Sequence, residues 1–198
     1  MHSIYTTEAI ILKSLNAREA NRYFWLLTRD FGLVRASAQG IRLQKSKLRF
    51  SLTDYSIVNV SLVRGKEYWR ITSAVEEIPV TSLLRESLDD LALVVRIYSL
   101  LLRLIHGEEK NDSLFETVYS AVKFLTEKPF GKDQVSRSSF ECILALRILS
   151  KLGYIGELER FKTFLTGLDY NSELISNMLN EKTQAITEIN RSLKATQL

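Results

Sequence analysis

The 198-residue chain has one cysteine, Cys142, and only two histidines, His2 and His106. A single cysteine excludes a disulfide within the chain and suits a reducing compartment. So few histidines and cysteines do not supply the common zinc sites or a histidine-activated nucleophile. We therefore expect a protein that has no enzymatic activity and binds neither a cofactor nor a metal.

The sequence also lacks the usual targeting, membrane and nucleotide-binding patterns. Residues 1–5 do not have the charged start and apolar run of a secretory signal. The most apolar stretch, residues 91–105, is short for a membrane span and contains Arg96 and Arg103. No P-loop pattern occurs, and the glycines at 153 and 156 stand where a helix is predicted to end. We expect a cytoplasmic protein.

Positive charge is concentrated at the start of the chain. The formal net charge is +4, but residues 1–75 contain twelve Lys or Arg and five Asp or Glu, a net charge of +7, and the remainder carries −3. This asymmetry is typical of a chain in which one part contacts a polyanion such as nucleic acid. The alternative is a basic domain without an anionic partner.

Five short strands are predicted in the basic part. Alternating or β-branched segments cover residues 7–13, 22–28, 33–38, 56–63 and 67–75, and glycine-containing turns follow the second and fourth. Short strands without long crossover connections predict a small antiparallel barrel. The five-stranded OB-fold is the favoured barrel, and an SH3-like barrel is the alternative.

The hydrophobic period changes to that of helices after Pro79. Amphipathic helices are predicted over 88–105, from a cap at Asp112 or Ser113 to before Pro129, from Asp133 to 152, over 157–165 and over 172–194. The predicted fold class is therefore α+β, with an N-terminal five-stranded antiparallel OB-fold barrel over residues 1–77. An all-helical domain is predicted over residues 78–198.

Cations are interleaved with aromatic residues at two places in the predicted barrel. Residues 40–49 place four cations after the third strand, and the second hairpin adds three more beside two aromatic rings. Such cations neutralise phosphates, and a ring flanked by cations is suited to stack on a base. The alternatives are a solvated loop for 40–49 and core packing for Trp69. The candidate DNA-contacting residues are Arg22, Arg35, Arg42, Lys45, Lys47, Arg49, Arg64, Lys66, Tyr68, Trp69 and Arg70.

Several short segments follow one another in an order that is typical of one family. They are residues 7–13 (TEAIILK), Glu19 and Arg22, 27–28 (LT), 32–34 (GLV), Ala38, Gly40, Arg42, 46–47 (SK) and 62–66 (LVRGK). A later segment, residues 140–158 (FECILALRILSKLGYIGEL), adds to them. In these residues the chain resembles the RecO family of bacterial recombination mediators.

The resemblance implies an OB-fold followed by a helical domain, a role in DNA repair, and binding to single- and double-stranded DNA with annealing of complementary strands. It also implies partnership with RecR and with the C-terminal tail of single-stranded DNA-binding protein, and through them the loading of RecA. An acidic tail of that kind needs an apolar groove rimmed by cations. Arg137, Arg147 and Lys151 are the predicted rim.

The chain departs from the family pattern where many members carry a four-cysteine zinc site. It continues after residue 158 as ERFK, without a cysteine, so no zinc is expected. Gln39 also stands where a basic residue is usual. A different hypothesis is therefore a protein-only adaptor that keeps the fold and binds little DNA.

Overall fold

The computed structural model describes residues 3–17, 19–156 and 158–195, which form two compact units. The first contains the described residues up to Arg85 together with Ile105–Asp112. The second contains Glu86–Leu104 and the described residues from Ser113 onward. The predicted boundary after residue 77 lies earlier than this division, and no sequence pattern indicated that Ile105–Asp112 joins the first unit.

Five strands close into a barrel in the first unit. They are β1 (Ile4–Ala17), β2 (Asn21–Thr28), β3 (Gly32–Ala38), β4 (Ile57–Arg64) and β5 (Trp69–Ile78). The order around the barrel is β1, β2, β3, β5, β4, and all neighbours are antiparallel except β3 and β5. This is the topology of the OB-fold. The predicted fold class is confirmed, and the SH3-like alternative is excluded.

Alternation along the strands separates the barrel interior from its outer face. Phe24 and Leu26 of β2 and Val34 and Ala36 of β3 are fully buried in one core cluster. In β4 the alternating residues Val58, Val60 and Leu62 all belong to the same cluster, as expected of one face of a strand. Since β1 pairs with both β2 and β4, it must bend around the barrel, and its register shift between Ile11 and Lys13 accommodates this.

Both predicted turns form. After β2, the Thr28 hydroxyl accepts a hydrogen bond from the Phe31 amide at 3.0 Å and donates one to the Gly32 carbonyl at 2.8 Å. Gly32 has a φ of 65°, a conformation that side chains disfavour. In the β4–β5 turn, the Gly65 amide donates to the Tyr68 carbonyl at 3.1 Å. Two single-turn helices, α1 (Leu48–Ser51) and α2 (Val80–Leu83), were not predicted from the sequence.

The second unit is helical. It contains α3 (Leu88–Leu104), α4 (Asp112–Glu127, from its second residue onward), α5 (Gln134–Lys151), a 3₁₀ turn (Glu159–Phe161), α6 (Lys162–Leu165) and α7 (Ser172–Ala195). The Asp133 carboxylate accepts a hydrogen bond from the Ser136 amide at 3.0 Å, which confirms the predicted start of α5. Helix α4 already includes Asp112, so neither of the predicted caps, Asp112 and Ser113, precedes its first residue. Glu157, the predicted start of the fourth helix, lies outside the described residues.

Helix α5 is buried on nearly every side, as expected of a central helix. Two arginines lie within it. Arg147 is 1% exposed; its guanidinium donates to the backbone carbonyls of Phe164 at 2.7 Å and Asp169 at 3.3 Å and lies 4.5 Å from the centre of the Tyr170 ring. This arginine therefore fastens the segment between α6 and α7 to the central helix.

The other buried arginine, Arg137, joins α5 to the start of α3. Its Nε donates to Oδ1 of the fully buried Asp90 at 2.7 Å, and a second nitrogen contacts the Gly131 carbonyl. The other oxygen of Asp90 accepts from the Gly131 amide at 3.1 Å and from the Ser87 hydroxyl. Each charge of this pair is therefore surrounded by hydrogen bonds, as a buried ion pair requires.

No helix of the described residues has the length and apolar character that a membrane span requires.

The Asp90–Arg137 pair generates a test of the helical unit. Asp90→Ala removes the carboxylate and leaves the buried guanidinium of Arg137 without its charged partner, so we expect the free energy of unfolding to fall by about 3–5 kcal/mol. Urea titration followed by far-ultraviolet circular dichroism measures the change. The control is Asp89→Ala, because Asp89 is exposed and lies 3.5 Å from the same arginine; this change should cost about 0.5 kcal/mol or less. Equal losses would contradict the importance of the buried pair.

Candidate nucleic-acid interface

The β4–β5 hairpin forms one wall of an open cleft on the barrel, with a volume of about 460 Å³. The cleft is lined by three predicted DNA-contacting cations, Arg64, Lys66 and Arg70, and by the predicted ring of Tyr68. Ser37 and Gln39, from the end of β3 and the loop after it, also line the cleft, and Ser37 pairs with Arg70 between β3 and β5. All three cations are exposed, so the cleft presents positive charge to solvent beside a ring.

Arg64 is the most constrained of the three cations. Its side chain is 70% exposed, yet one nitrogen lies 3.3 Å from Oε2 of Glu108 and the guanidinium lies 5.4 Å from the centre of the Trp69 ring. Glu108 belongs to residues 105–112, which contact the barrel at further points. Lys110 Nζ lies 3.4 Å from Asp30 Oδ1. The backbone of Glu109 packs closely against Gly32: a Cβ atom on Gly32 would lie 2.2 Å from the Glu109 carbonyl oxygen.

Trp69 is not available to a base. The residue is 3% exposed, belongs to the barrel core and packs edge-on against Tyr5 and at a tilt against Phe31. Its indole Nε1 donates to Oε1 of Glu108 at 2.9 Å, so its one polar atom is also occupied. The prediction that Trp69 stacks on DNA is therefore corrected to the alternative of core packing.

Arg22 is held by the barrel itself. Its guanidinium makes hydrogen bonds to both carboxylate oxygens of Asp54, at 2.9 and 3.1 Å, and contacts the Ser14 hydroxyl. The guanidinium also lies 5.3 Å from the centre of the Phe24 ring. Because these contacts engage the charge and the side chain is largely buried, the structure favours a structural role for Arg22 over the predicted contact with DNA.

Arg35 lies at the centre of a layer of aromatic rings on the outer face of the barrel. Its guanidinium lies 4.5 Å from the centre of the Tyr68 ring, 4.9 Å from that of Tyr23 and 5.0 Å from that of Trp25. The Tyr23 and Tyr68 rings are 5.2 Å apart, and Lys13 Nζ lies 5.6 Å from the centre of the Trp25 ring. We call these five residues the Arg35 layer.

Sequence reasoning identified Arg35 and Tyr68 but missed Lys13, Tyr23 and Trp25. The signal was present in the alternation of β2, because Phe24 and Leu26 point into the core and their neighbours must point outward. Register adds the rest: Trp25 is paired with Arg35, and Tyr23 with Ser37, across β2 and β3. The layer is therefore continuous with the cleft, since Tyr68 belongs to both and Ser37 lines the cleft.

The predicted basic loop begins beside the cleft. The Gly40 amide donates to Oδ1 of Asn21 at 2.9 Å and the Arg42 amide to the Ala20 carbonyl at 3.0 Å, which fixes the loop's first residues to the start of β2. The predicted phosphate-contacting side chains of the loop are all exposed; they are Arg42, Lys45, Lys47 and Arg49. Phe50 is also 67% exposed, and the Arg49 guanidinium lies 4.5 Å from the centre of its ring.

The residues predicted to rim a partner groove are not together on a surface. Arg137 and Arg147 are both buried, for the reasons given above: one neutralises Asp90, and the other binds backbone carbonyls. Arg137 also lines a polar pocket with Arg96 and Glu141, but its charge is already paired with Asp90, and Arg147 is enclosed, so the structure does not support the predicted rim. Lys151 is exposed at the end of α5.

Among the described residues, no group of three or more His, Cys, Asp or Glu side chains is arranged to hold a metal ion. Burial raises the pKa of the Cys142 thiol, which disfavours the nucleophilic thiolate at neutral pH. His2 lies outside the residues that the structure describes.

The burial of Trp69 can be tested by comparing it with the other tryptophan. Trp69→Ala should lower the free energy of unfolding of the barrel by about 3–5 kcal/mol, because it removes a large core side chain. Trp25→Ala is the matched control on the outer face and should cost clearly less. Urea titration of both variants against the parent protein measures the difference. A Trp69 variant as stable as the parent would contradict the core assignment.

Comparison with known proteins identifies relatives of this chain, and the family model that matches covers nearly all of the barrel strands. Residues 1–76 match the family model described as Recombination protein O N terminal. The DNA repair protein RecO of Clostridium novyi is 28% identical over 158 residues, which cover 80% of this chain and 59% of that protein. The DNA repair protein RecO of Caldanaerobacter subterraneus is 30% identical over 161 residues, which cover 77% of this chain and 60% of that protein.

A third relative, the DNA repair protein RecO of Rubrobacter xylanophilus, is 31% identical over 159 residues, covering 79% of this chain and 60% of that protein. The chain thus spans about three fifths of the length of these relatives. The resemblance seen in the sequence is confirmed: the chain carries the RecO N-terminal domain in residues 1–76 and is related to the RecO family of DNA repair proteins.

Proposed function

We propose that this chain is a DNA-binding recombination mediator in DNA repair, and that it acts by binding and not by catalysis. One observation carries the proposal: the cleft of the barrel collects Arg64, Lys66 and Arg70 on one exposed wall beside Tyr68. In OB-folds the outer barrel surface and its loops bind oligonucleotides. The names of the relatives, which are DNA repair proteins, support the same function.

Phosphate contacts supply the affinity in this proposal. Each cation that neutralises a phosphate releases condensed counterions, and this term favours binding without regard to sequence. The exposed cations of the loop, Arg42, Lys45 and Lys47, extend the positive surface from Gln39 of the cleft. A strand in the cleft would therefore continue along the loop.

The proposal includes protein partners that the resemblance to the family implies. They are RecR, the acidic tail of single-stranded DNA-binding protein and, through them, RecA, with annealing of complementary strands as an activity. In the helical unit a pocket of about 340 Å³ of mixed character is lined by Phe124, Phe130, Tyr170 and Ile175, by the exposed Lys128 and Asp133, and by Ser136, Asn171, Ser172 and Ser176. Its rings and Lys128 offer contacts to a hydrophobic-ended acidic tail that the buried Arg137 and Arg147 do not.

Replacement of the cleft cations tests DNA binding. Arg64, Lys66 and Arg70 changed together to alanine should weaken binding to a fluorescently labelled single strand about tenfold at moderate salt. The slope of log affinity against log salt should become shallower by about 2, since each lost phosphate contact removes about 0.7. Fluorescence anisotropy at several salt concentrations measures both quantities.

The matched control removes the same charge from the helical unit, where Arg103, Lys123 and Lys132 are exposed. Changing these three to alanine should leave the salt slope nearly unchanged. Equal losses in the two triple variants would assign the effect to net charge and contradict a defined DNA surface. If the parent protein does not bind DNA even at low salt, the mediator proposal fails and the adaptor hypothesis replaces it.

The contact of Glu108 with Arg64 predicts a variant whose affinity for DNA rises instead of falling. Glu108→Gln removes a negative charge beside the cleft and keeps an oxygen that can accept from the Trp69 indole. We expect the affinity for DNA at low salt to rise about two- to five-fold, the range of an exposed ion pair. Anisotropy measures it, with Glu127→Gln, an exposed carboxylate at the end of α4, as control. Reduced affinity in the Glu108 variant would show that Glu108 supports the DNA surface.

A further inference from the structure

The Arg35 layer combines three aromatic rings and two cations on the outer face of the barrel. Tyr23 and Trp25 alternate with the core residues Phe24 and Leu26, so their rings lie on the outer face, where they are partly exposed. Aromatic cross-strand pairs also stabilise a sheet, but three partly exposed rings around one guanidinium in addition present an extended apolar and polarisable surface to solvent. Cations alone, as in the cleft, are sufficient to bind phosphates.

We infer that the Arg35 layer binds unpaired bases and thereby makes the barrel select single-stranded over double-stranded DNA, an inference that rests on the proposed function. The rings of Tyr23, Trp25 and Tyr68 supply the stacking surfaces. Arg35 is a positioning residue that holds the three rings by cation–π contacts, and its planar guanidinium can itself lie against a base.

The position of Tyr68 links the two surfaces. Tyr68 lines the cleft with Arg64, Lys66 and Arg70, and it lies 5.2 Å from Tyr23 in the layer, measured between ring centres. A single strand whose phosphates contact the cleft cations therefore has aromatic rings directly beside it. In a duplex the bases are paired and stacked inside the helix, so their faces cannot reach these rings, although the phosphates remain accessible. The cations would then bind the phosphates of both single-stranded and duplex DNA, while the rings would contact only the bases of single-stranded DNA.

The two tryptophans of the chain make this inference directly measurable. Trp69→Phe leaves Trp25 as the sole tryptophan, and its fluorescence should be quenched when a poly-dT strand of about 15 nucleotides, the upper range of one OB-fold site, is added. A duplex with the same number of phosphates should bind by anisotropy and leave the emission nearly unchanged. Trp25→Phe is the control, because it retains only the buried Trp69, which should not respond to either DNA.

The DNA affinities of Trp25 and Arg35 variants test the contact with bases without relying on tryptophan fluorescence. Trp25→Ala should weaken single-strand binding about five-fold or more, the loss of one stacked base, and change duplex binding less than about two-fold. Trp25→Phe keeps an aromatic ring and should retain most of the affinity. Arg35→Lys keeps the charge but not the planar guanidinium, so it should weaken single-strand binding without changing the salt slope.

Three results would overturn the inference. If the parent binds both DNA forms but Trp25 is not quenched by the single strand, the layer does not contact bases, and the proposed DNA binding still stands. The same conclusion follows if Trp25→Ala weakens single-strand and duplex binding equally. If no DNA of either form binds at low salt, the proposed function and the inference fail together.

Discussion

Closure of the barrel depends on a short seam between β3 and β5. Only two residue pairs form it, Ala36 with Trp69 and Ser37 with Arg70, and they are the barrel's only parallel pairs among the described residues. Trp69 strengthens the seam from inside, since its ring fills the core while its backbone also pairs with Arg64 on β4. The hydrophobic burial of this one side chain therefore stabilises a contact that has little backbone hydrogen bonding of its own.

The candidate DNA surface lies on both sides of that seam. Ser37 and Arg70 belong to the seam itself and line the cleft, while Arg35 and Tyr68 immediately precede the paired residues. Inward and outward side chains alternate here, so Trp69 stabilises closure while its neighbours face solvent. The same few residues thus determine whether the barrel is closed and which groups it presents to solvent. The proposed function of this surface therefore depends on folding, because the residues that close the barrel and the residues that face solvent are neighbours in sequence.

The sequence predicted the barrel well because alternation and turn chemistry are local. Residues 33–38 and 56–63 could be assigned to strands, and Val58, Val60 and Leu62 to one face, without knowledge of any partner strand. The exposed cations of the loop and hairpin were predicted for the same reason, since a lysine or arginine in a polar loop has few alternatives. The parallel pairing of β3 with β5 is not local, and the assignment of Trp69 failed with it.

Arginines in the two units show a second limit of sequence reasoning. In the barrel Arg64 and Arg70 are exposed, whereas in the helical unit Arg137 and Arg147 are buried. The partners of these two buried arginines are distant in sequence. Asp90 precedes Arg137 by 47 residues, and the carbonyls that bind Arg147 follow it by about 20 residues. Helical spacing gives no information on such partners. The same residue type therefore lies on an exposed candidate surface in one unit and makes buried structural contacts in the other.

The docking of residues 105–112 on the barrel has a consequence for how the units can be separated. The chain passes from one unit to the other at residues 85–86, 104–105 and 112–113, so neither unit is a continuous piece of sequence. A barrel excised by one cut after β5 would lack Glu108, leaving the indole of Trp69 without its acceptor and Arg64 without its counter-charge. An isolated barrel that reproduces the native surface has to include this segment, joined to it by a linker that replaces α3.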